Sequence, residues 1–464
     1  MMKLNYFNFK DVHGEVLLTN DMGKHIFLDP ADFKLFVSGR LDEFSVVGQS
    51  LIRAGMAYSE SDLSFSENNK WELLNAKRHI VTATSLHIFV VTTACNLNCV
   101  YCQANNGAST PNCYMNKETA ERAVDIALQS PEQCLSFEFQ GGEPLLNFSV
   151  IKHIIEYTQE RKQNKRIDYS VVTNLTLLTD EILDYFRTYR VSISTSVDGN
   201  EMIHNMNRPY RNGNGTFSIV KEKIGKIKKA GMRVGAIETT TRCSLPYAKE
   251  LVETYMDLGF DSIFIRHLTR LGKAAKKWDR IGYEAEEFLD FYRRAIDEMM
   301  CLNKQGKYIS EQHASILLKR INRVGVNYME LRSPCGGGIG QLAYYADGRV
   351  FTCDEGRMLA EMGSDVFLLG NVFNDTYQSL VSGKTCRTVC ASSTLETIPS
   401  CCDCVYQPYC GVCPVVNYAL TEDIIEKSPR SFRCKVYSGI LDYLFSMLKE
   451  NNPDTIEILN RWSW

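Results

Sequence analysis

The sequence predicts an α/β protein whose centre is a partial (β/α)6 barrel, preceded by a small α+β unit and followed by a cysteine-rich segment. Three observations predict this fold. Strand-like and helix-like segments alternate from residue 84 to about residue 305, two short strands and two helices precede them, and cysteine and glycine are concentrated after residue 333. Strands that alternate with helices form parallel sheets. Eight such units close a full barrel, so six units predict an open one.

The six predicted barrel strands are short apolar runs, each followed by a helical pattern. The runs are "SLHIFVVTT", "LSFEFQ", "DYSVVTN", "VSISTSV", "RVGAIETTT" and "SIFIRHLT". Asn116 and Thr179 are typical helix N-caps, Pro246 is typical of a first helical turn, and Gly231 and Gly259 are typical helix ends. Right-handed crossovers bring the carboxyl ends of all six strands to one rim, where ligands bind in such barrels.

Residues 1–80 predict a separate small α+β unit. The segments "EVLLTN" and "KHIFLD" predict two strands around the turn "DMGK". Asp29 caps a helix that begins at Pro30 and ends at Gly39, and a second helix over about 42–54 ends at Gly55. The unit is either a peptide-recognition module or an accessory packing domain.

The barrel is expected over residues 84–305, and three further parts follow it. Residues 306–332 predict a helical bridge, residues 333–440 a cysteine-rich domain, and residues 441–464 a C-terminal helix and tail. Within the cysteine-rich part, "AYYADGRVFTC" predicts a hairpin, because Asp347-Gly348 is a strong two-residue turn between apolar strands.

Composition and charge exclude several classes. The chain has 464 residues, 44% hydrophobic and 23% charged, with a formal net charge of −3. These values give no whole-chain argument for binding nucleic acid or an anionic membrane, so neither partner is expected. The longest apolar runs are too short to span a bilayer, and "MMKLNYFNFK" lacks the apolar core of a secretory signal. A cytoplasmic location is therefore expected.

Seventeen cysteines are many for a chain in a reducing compartment, where clustered cysteine indicates metal binding or redox chemistry. The segment "TTACNLNCVYCQA" carries Cys95, Cys99 and Cys102 in the spacing CxxxCxxC, immediately after the first barrel strand. Three thiolates on a [4Fe–4S] cluster leave one iron open to a substrate or cofactor. Zinc is the alternative, but structural zinc normally has four protein ligands.

With this spacing and Tyr101 before the last cysteine, the sequence resembles the radical S-adenosylmethionine (SAM) superfamily. The resemblance extends through the six βα units, which match that family's partial TIM-like barrel. It implies that Cys95, Cys99 and Cys102 are catalytic and hold a [4Fe–4S] cluster whose open iron chelates SAM. Reductive cleavage of SAM then yields a 5′-deoxyadenosyl radical that abstracts hydrogen. A dry barrel mouth excludes side reactions of such a radical.

Further matches lie at the ends of the next strands. The resemblance implies that GGEP binds the SAM amino group, with Thr173, Asn174 and other rim residues nearby. Ordinary strand polarity is the alternative for Ser196 and Thr173, and a loop salt bridge is the alternative for Arg208. Asp198 is taken as a catalytic candidate and Glu238 as a second one, by their rim positions alone. The implied SAM-site residues are Tyr101, Gly141, Gly142, Glu143, Pro144, Asn174, Ser196 and Arg208.

The C-terminal cysteines resemble the SPASM domain of radical SAM maturases, which carries two auxiliary [4Fe–4S] clusters. The resemblance implies that one cluster is held by Cys401, Cys404, Cys410 and Cys434, and that the other is held in part by Cys335, Cys353 and Cys413. A zinc ribbon is the alternative, since CxxC spacings permit it.

Two departures from the SPASM pattern concern the ligands. Cys410 and Cys413 are separated by two residues, whereas the usual spacing is CxxxC. No eighth ligand is assigned by the motif, so Cys386, Cys390 or Cys402 supplies it, or the site is open or has a non-cysteine ligand.

SPASM radical SAM enzymes mostly modify peptides or proteins, and the short segments "LGNV", "EGRML" and "YQPYCGVCP" are most similar to the His-Xaa-Ser-system maturases. This similarity implies a ribosomally synthesised precursor peptide whose side chains are cross-linked or oxidised, and an electron donor such as a flavodoxin or ferredoxin. One alternative is an anaerobic sulfatase maturase that forms formylglycine, although the N-terminal extension argues against it. The other alternative is a non-catalytic Fe–S or zinc scaffold that binds a peptide.

Overall fold

The computed structural model describes residues 2–104, 112–322, 328–425 and 431–464. Within these residues a ten-stranded sheet forms the centre, accompanied by a three-stranded and a two-stranded sheet. In the described part of the chain, no helix is long and apolar enough to cross a membrane.

The N-terminal unit is a small sheet covered by helices. Strands β2, β3 and β4 form an antiparallel sheet in that order, and β1 pairs with β5. Leu18, Phe36 and Leu51 are fully buried in its own core. The sequence predicted β3, β4, α1 and α2, but it did not predict β1, β2, β5 or α3. The elements are β1 (Met2–Leu4), β2 (Asn8–Val12), β3 (Glu15–Thr19), β4 (His25–Leu28), α1 (Pro30–Val37), α2 (Val46–Arg53), β5 (Ala57–Ser59) and α3 (Phe65–Ala76).

The barrel contains six consecutive parallel strands, each hydrogen-bonded to the next in chain order. The predicted α/β fold is confirmed. The strands are β6 (Leu86–Thr92), β7 (Cys134–Gly141), β8 (Arg166–Val172), β9 (Ser192–Ser196), β10 (Val234–Thr239) and β11 (Ser262–Arg266). The helices are α4 (Lys117–Leu128), α5 (Phe148–Arg161), α6 (Asp180–Thr188), α7 (Glu201–Asn207), α8 (Phe217–Lys229), α9 (Ala248–Asp257), α10 (Gly272–Lys276), α11 (Trp278–Ile281) and α12 (Ala285–Lys304).

The sheet extends beyond the six strands at both edges. The short strand β12 (Ser310–Glu311) adds to β11 in parallel, so the segment expected to be a helical bridge contains a strand before its helix α13 (Gln312–Ile321). On the other edge, β13 (Gln341–Tyr344) pairs in parallel with β6, and β14 (Arg349–Phe351) and β15 (Leu368–Asn371) follow antiparallel. The cysteine-rich segment therefore contributes strands to the central sheet.

The remaining helices belong to the cysteine-rich segment and the C-terminus. They are α14 (Asp354–Glu361), α15 (Tyr377–Ser382), α16 (Lys384–Ser392), α17 (Pro414–Thr421), α18 (Phe432–Glu450) and α19 (Pro453–Trp462).

The two faces of the barrel sheet differ in polarity. On β7, Phe137 and Phe139 are fully buried and belong to the main core, whereas Glu138 and Gln140 alternate with them and are only partly buried. Side chains alternate between the faces of a strand, so Glu138 and Gln140 line the opposite face. We call this polar side, which faces the barrel interior, the inner face.

Helix α18 joins the N-terminal unit to the rest of the molecule. The ring of Phe445 is fully buried, and its centroid lies 5.3 Å from that of His25 and 5.6 Å from that of Tyr409. Lys10 of β2 also bonds Asp442 at 2.6 Å. The aromatic contacts place Phe445 between the N-terminal sheet and the cysteine-rich segment.

We expect Phe445→Ala to lower the free energy of unfolding by about 3–5 kcal/mol, because it deletes a buried aromatic ring and leaves a cavity. Chemical denaturation measures this loss, and limited proteolysis shows whether the N-terminal unit is cleaved faster. The control is Phe44→Ala, since Phe44 is 79% exposed and its loss is expected within about 0.5 kcal/mol. Equal losses for the two variants contradict the packing described here.

Candidate functional site

The loop that carries Cys95, Cys99 and Cys102 follows β6 directly and is fixed by backbone hydrogen bonds. Thr93 N donates to the carbonyl of Cys113 at 2.9 Å, Asn98 N to that of Pro209 at 2.8 Å, and Val100 N to that of Asn207 at 2.9 Å; Lys273 N donates to the carbonyl of Cys102 at 2.9 Å. We call residues 93–102 the cysteine loop. The backbone of the loop is therefore held from several directions.

The three thiols of the cysteine loop lie together in partly buried positions. Burial, together with the neighbouring Cys99 and Cys102, raises the pKa of Cys95 to about 12. Burial also raises the pKa of Cys99 to about 11, while the positive charge of Arg208 lowers it. Uncoordinated thiolates are disfavoured here, so cations that stabilise them, such as Arg208, suit a site in which they bind metal.

The described residues do not form a site for a single metal ion. Among the described residues, no three His, Cys, Asp or Glu side chains converge closely enough to hold one metal ion. A cluster spreads its ligands over separate iron atoms, so its thiols need not converge on one point. The donor set of three thiols suits such a cluster.

The glycines of "FQGGEPLL" allow the end of β7 to touch the cysteine loop. Gly142 N donates to the carbonyl of Thr92 at 2.8 Å, and Glu143 N donates to that of Ala94 at 2.7 Å. A Cβ on Gly141 would lie 2.4 Å from the Thr92 oxygen, and one on Gly142 would lie 2.3 Å from the Ala94 oxygen. Both contacts are with backbone, which has little room to move, so each position requires glycine.

Glu143 joins the ends of two strands. Its carboxylate is 1% exposed and accepts hydrogen bonds from Thr173 Oγ1 at 2.6 Å, Asn174 N at 2.7 Å and Leu145 N at 3.0 Å. Pro144 begins the short 3-10 turn that follows. A carboxylate offers about four acceptor positions, so one remains for a donor such as an ammonium.

Asn174 and Ser196 lie at the rim near the cysteine loop. Asn174 Nδ2 donates to Asn96 Oδ1 at 3.0 Å and lies 4.0 Å from Cys95 Sγ. Ser196 is the last residue of β9 and, like Ser194, alternates with buried core residues, so it lies on the inner face. Both predicted residues are therefore at the strand ends.

Tyr101 and Asp198, which are buried, form a hydrogen-bonded chain with the partly buried Arg208. Tyr101 Oη donates to Asp198 Oδ2 at 2.7 Å, and Arg208 Nη1 donates to Tyr101 Oη at 2.6 Å. Asp198 Oδ1 also lies 3.4 Å from Thr239 N. Burial raises the pKa of Asp198, and Arg208 lowers it. The structure thus gives Asp198 a role in holding the aromatic ring of the cysteine loop.

Glu238 does not lie where its position in the sequence suggested. It shares the outer face of β10 with the core residues Val234 and Ala236, and it is fully buried. Thr240 Oγ1 donates to its Oε2 at 2.8 Å. Burial raises its pKa well above the usual range, and Asp198 raises it further. The expectation that Glu238 faces the site is wrong, because the strand alternation turns it toward the helices.

The inner face carries charged residues that the sequence analysis missed. Gln140 Nε2 donates to Glu138 Oε1 at 2.6 Å, and Arg357 Nη2 lies 3.4 Å from Gln140 Oε1. Arg357 is 1% exposed and pairs with Asp354 at 2.7 Å. The alternation in "LSFEFQ" signals Glu138 and Gln140, but no local signal brings Arg357 from over 200 residues away.

A second charged group lies at the end of β11. Arg266 Nη2 donates to both carboxylate oxygens of Glu330, at 2.9 and 3.1 Å. Arg433 Nη1 lies 4.0 Å from Glu330 on its other side. Glu330 is therefore placed between two arginines, one from the barrel and one from α18.

The C-terminal cysteines have two sets of neighbouring thiols. Burial, together with the neighbouring Cys410, Cys404 and Cys434, raises the pKa of Cys401 to about 12. In the other group, burial raises the pKa of Cys353, and Cys413 and Cys335 contribute. We call these the outer group (Cys401, Cys404, Cys410 and Cys434) and the inner group (Cys335, Cys353 and Cys413).

Of the three cysteines considered for the eighth ligand, two lie together on one helix and the third lies elsewhere. Cys386 and Cys390 are one turn apart on α16 and hydrogen-bond each other. Cys386 Sγ lies 2.7 Å from where a Cβ on Gly338 would stand. Cys402 Sγ lies 3.6 Å from Asp403 Oδ2 and is close to Cys401 of the outer group.

Comparison with known families identifies one match, to the Radical SAM superfamily, over residues 89–250. An uncharacterized protein of Methanocaldococcus jannaschii is 31% identical over 221 residues, which cover 48% of this chain and 71% of that protein. The serine-type anaerobic sulfatase-maturating enzyme of Bacteroides thetaiotaomicron is 25% identical over 408 residues, covering 81% of this chain and 94% of that enzyme.

Two solved structures share the fold. Native anSMEcpe with bound AdoMet has a TM-score of 0.68 at 21% identity, covering 81% of this chain and 99% of its own. Streptococcus suis SuiB bound to precursor peptide SuiA has a TM-score of 0.54 at 16% identity, covering 93% of this chain and 99% of its own. Both are similar to this chain across the barrel and beyond it.

Gly142→Ala is expected to displace the cysteine loop, since its Cβ would meet the Ala94 carbonyl at 2.3 Å. We expect a stability loss of about 1–3 kcal/mol. The iron content after anaerobic reconstitution should also fall. The matched control is Gly225→Ala on α8, where no atom lies within 4 Å of the new Cβ. Iron content equal to that of the control contradicts the proposed contact.

Proposed function

The chain belongs to the radical SAM superfamily, and we propose that it modifies a ribosomally synthesised precursor peptide after reductive cleavage of SAM. The observation that carries this proposal is the position of Cys95, Cys99 and Cys102, directly after β6 and against the Gly141-Gly142 backbone. When bound, a [4Fe–4S] cluster and SAM supply the 5′-deoxyadenosyl radical that abstracts a hydrogen atom from the substrate.

The rim residues have separate roles in this proposal. The free acceptor position of Glu143 receives the ammonium of SAM, while Thr173 and Asn174 hold that carboxylate in place. The Asp198 carboxylate and the Arg208 guanidinium hold Tyr101, so its ring presents a fixed surface beside the last cysteine. Ser196 lies farther along the rim and is proposed to contact SAM.

The positive charges around the cysteine loop support the same proposal. Burial raises the pKa of Cys102, while Lys273, Arg357 and Arg208 lower it. A cluster with bound thiolates carries negative charge, and nearby cations reduce the cost of burying that charge. These cations come from three different elements, so the charge balance depends on the assembled barrel mouth.

A peptide is the proposed substrate. SuiB, whose solved structure holds the precursor peptide SuiA, spans 93% of this chain. The N-terminal sheet has two edge strands, β2 and β4, each paired on one side within the described residues. We propose that the leader of the precursor adds to such an edge, with main-chain hydrogen bonds giving affinity.

The outer and inner cysteine groups are proposed to hold two auxiliary [4Fe–4S] clusters. Their donor sets are thiols, which suit iron–sulfur clusters. The proposed clusters pass the electron left after substrate oxidation, and a flavodoxin or ferredoxin is the proposed external donor.

Formylglycine formation is the second candidate function. This chain aligns with 94% of the sulfatase-maturating enzyme of Bacteroides thetaiotaomicron, and this coverage favours formylglycine formation. SuiB spans more of this chain than anSMEcpe does, 93% against 81%, which favours the peptide maturase. A non-catalytic scaffold does not agree with the family, whose relatives here include maturing enzymes.

The proposed function is tested by anaerobic reconstitution with SAM and a reductant, measuring iron, sulfide and 5′-deoxyadenosine. Three clusters predict about twelve irons per chain, and Cys95/Cys99/Cys102→Ala should lose about four. The same variant should produce no deoxyadenosine. A matched control replaces three other cysteines, Cys113/Cys134/Cys301→Ala, and should retain both iron and activity.

Zinc in place of iron, with no SAM cleavage by the wild type, contradicts the proposal. The two candidate functions differ in product. A sulfatase-derived peptide that gains a hydrazine-reactive aldehyde indicates formylglycine formation. A cross-linked or oxidised precursor without an aldehyde indicates the peptide maturase.

A further inference from the structure

A concentration of positive charge lies beside the cysteine loop. Two segments that contact the loop, residues 208–214 and 270–281, carry seven arginines and lysines against one acidic residue, Asp279. The whole chain has a formal net charge of −3, so this concentration runs against its overall charge. We call five of these residues the basic surface, four of them exposed and Lys273 half-buried: Arg211, Lys273, Lys276, Lys277 and Arg280.

Two side chains of the basic surface bind the cysteine loop directly. Arg211 Nε donates a hydrogen bond to the carbonyl of Cys95 at 2.8 Å. Lys273 Nζ donates to Asn98 Oδ1 at 2.6 Å. Asn98 is exposed, whereas Cys95 is only partly exposed. The loop that carries the three thiols therefore reaches the molecular surface where these two cations bind it.

Helix α10 places two further lysines on the same side as Lys273. The helix begins in contact with the loop, since a Cβ on Gly272 would lie 2.5 Å from the carbonyl oxygen of Cys102. Lys277 N donates to the carbonyl of Lys273 at 3.0 Å, which continues the helical turn. Residues three and four positions apart lie on one face of a helix, so Lys276 and Lys277 share the face of Lys273.

The charges of the basic surface are not neutralised within the described ranges of the chain. No acidic side chain there forms an ion pair with any of its five residues. Basic residues elsewhere do have such partners, as Lys226 has in Asp180 at 2.7 Å and Lys435 in Glu286 at 2.8 Å. Uncompensated surface charge of one sign attracts partners of the opposite sign and speeds their association.

The proposed function requires an electron to enter the molecule at the cysteine loop. Electron transfer slows steeply as the donor and acceptor move apart, so an electron donor has to dock close to the three thiols. The basic surface meets this condition, because Arg211 and Lys273 bind the same short loop. The proposed site of the precursor leader is an edge of the N-terminal sheet, which leaves the basic surface for another partner.

We propose that the basic surface docks an acidic flavodoxin, which reduces the cluster held by Cys95, Cys99 and Cys102. In this step the flavin hydroquinone of the carrier loses one electron and the cluster gains it, and no proton or other atom crosses the interface. The inference rests on the proposed function, because it takes the cluster and the class of donor from there. It goes further by assigning the surface on which the donor binds.

The test compares the reconstituted wild-type chain with Lys276→Glu/Lys277→Glu, which reverses two charges that do not touch the loop. Stopped-flow absorbance measures how fast reduced flavodoxin of net negative charge reduces the cluster. At low ionic strength we expect the second-order rate constant to fall about tenfold or more. The difference should shrink as salt is added, because salt screens exposed charges. Titration calorimetry with oxidised flavodoxin should show weaker binding by the variant.

The matched control is Lys304→Glu/Lys307→Glu, which makes the same change of charge at two exposed lysines. These lysines lie at the end of α12, just before β12, and therefore at the end of the barrel opposite the rim. The control should react with flavodoxin like the wild type. Circular dichroism checks the fold of every variant. Lys276→Gln/Lys277→Gln, which only removes the charges, should give a smaller loss and keeps the test decisive if the reversal does not fold.

Two results overturn the inference. In the first, flavodoxin reduces the charge-reversed variant as fast as it reduces the control at low ionic strength. In the second, the variant loses affinity for a polyglutamate peptide while its reduction by flavodoxin is unchanged, which assigns the surface to an anionic peptide. Dithionite, a small reductant that needs no docking surface, separates these results from failure of the proposed function. If the wild type forms no 5′-deoxyadenosine even with dithionite, the proposed function fails as well.

Discussion

The close approach of two backbone segments, residues 92–94 and 141–143, is the contact on which the rest of the site depends. The carbonyls of Thr92 and Ala94 accept hydrogen bonds from the backbone N–H groups of Gly142 and Glu143. These carbonyls leave no space for a side chain at Gly141 or Gly142. On the other side of the cysteine loop, Gly272 approaches the carbonyl of Cys102 as closely. Short cysteine side chains cannot correct for a misplaced backbone, so these contacts determine whether three thiols meet.

The two faces of the barrel sheet differ in the polar and charged side chains that they carry. The outer face of the barrel sheet is mainly apolar, apart from Glu238, and packs against helices, whereas the inner face carries Glu138, Gln140 and Arg266. The matching partners are Arg357 of the cysteine-rich segment and Glu330, which lies just before that segment. Because β13 belongs to the same sheet as β6, the barrel and this segment share one hydrogen-bonded framework, which keeps these pairs in register.

Local features of the sequence were sufficient to predict most of the barrel. Asn116 and Thr179 cap their helices through hydrogen bonds to Thr119 N and Ile182 N, as expected of those side chains. Elements that depend on distant partners were missed. Strand β2 gains its partner only across a hairpin, and β13 pairs with a strand about 250 residues earlier. Propensity carries no information about such pairings.

The candidate site, too, could be predicted only where its residues form contiguous motifs. The spacing of Cys95, Cys99 and Cys102 and the GGEP run were sufficient to locate the rim, because both are contiguous motifs. Glu238 was misplaced, since one residue of strand register reverses the face of a side chain. Arg357 was overlooked, because it reaches Gln140 from over 200 residues away only in the folded chain.

The most direct test of the central claim is electron–nuclear double resonance of the reduced, reconstituted protein with SAM labelled at its amino nitrogen and carboxylate oxygen. If Cys95, Cys99 and Cys102 leave one iron open at the barrel rim, both labels should couple to the cluster. The coupling should be absent from the variant without these cysteines. A reduced cluster on the wild-type cysteines that shows no coupling to either label contradicts the claim.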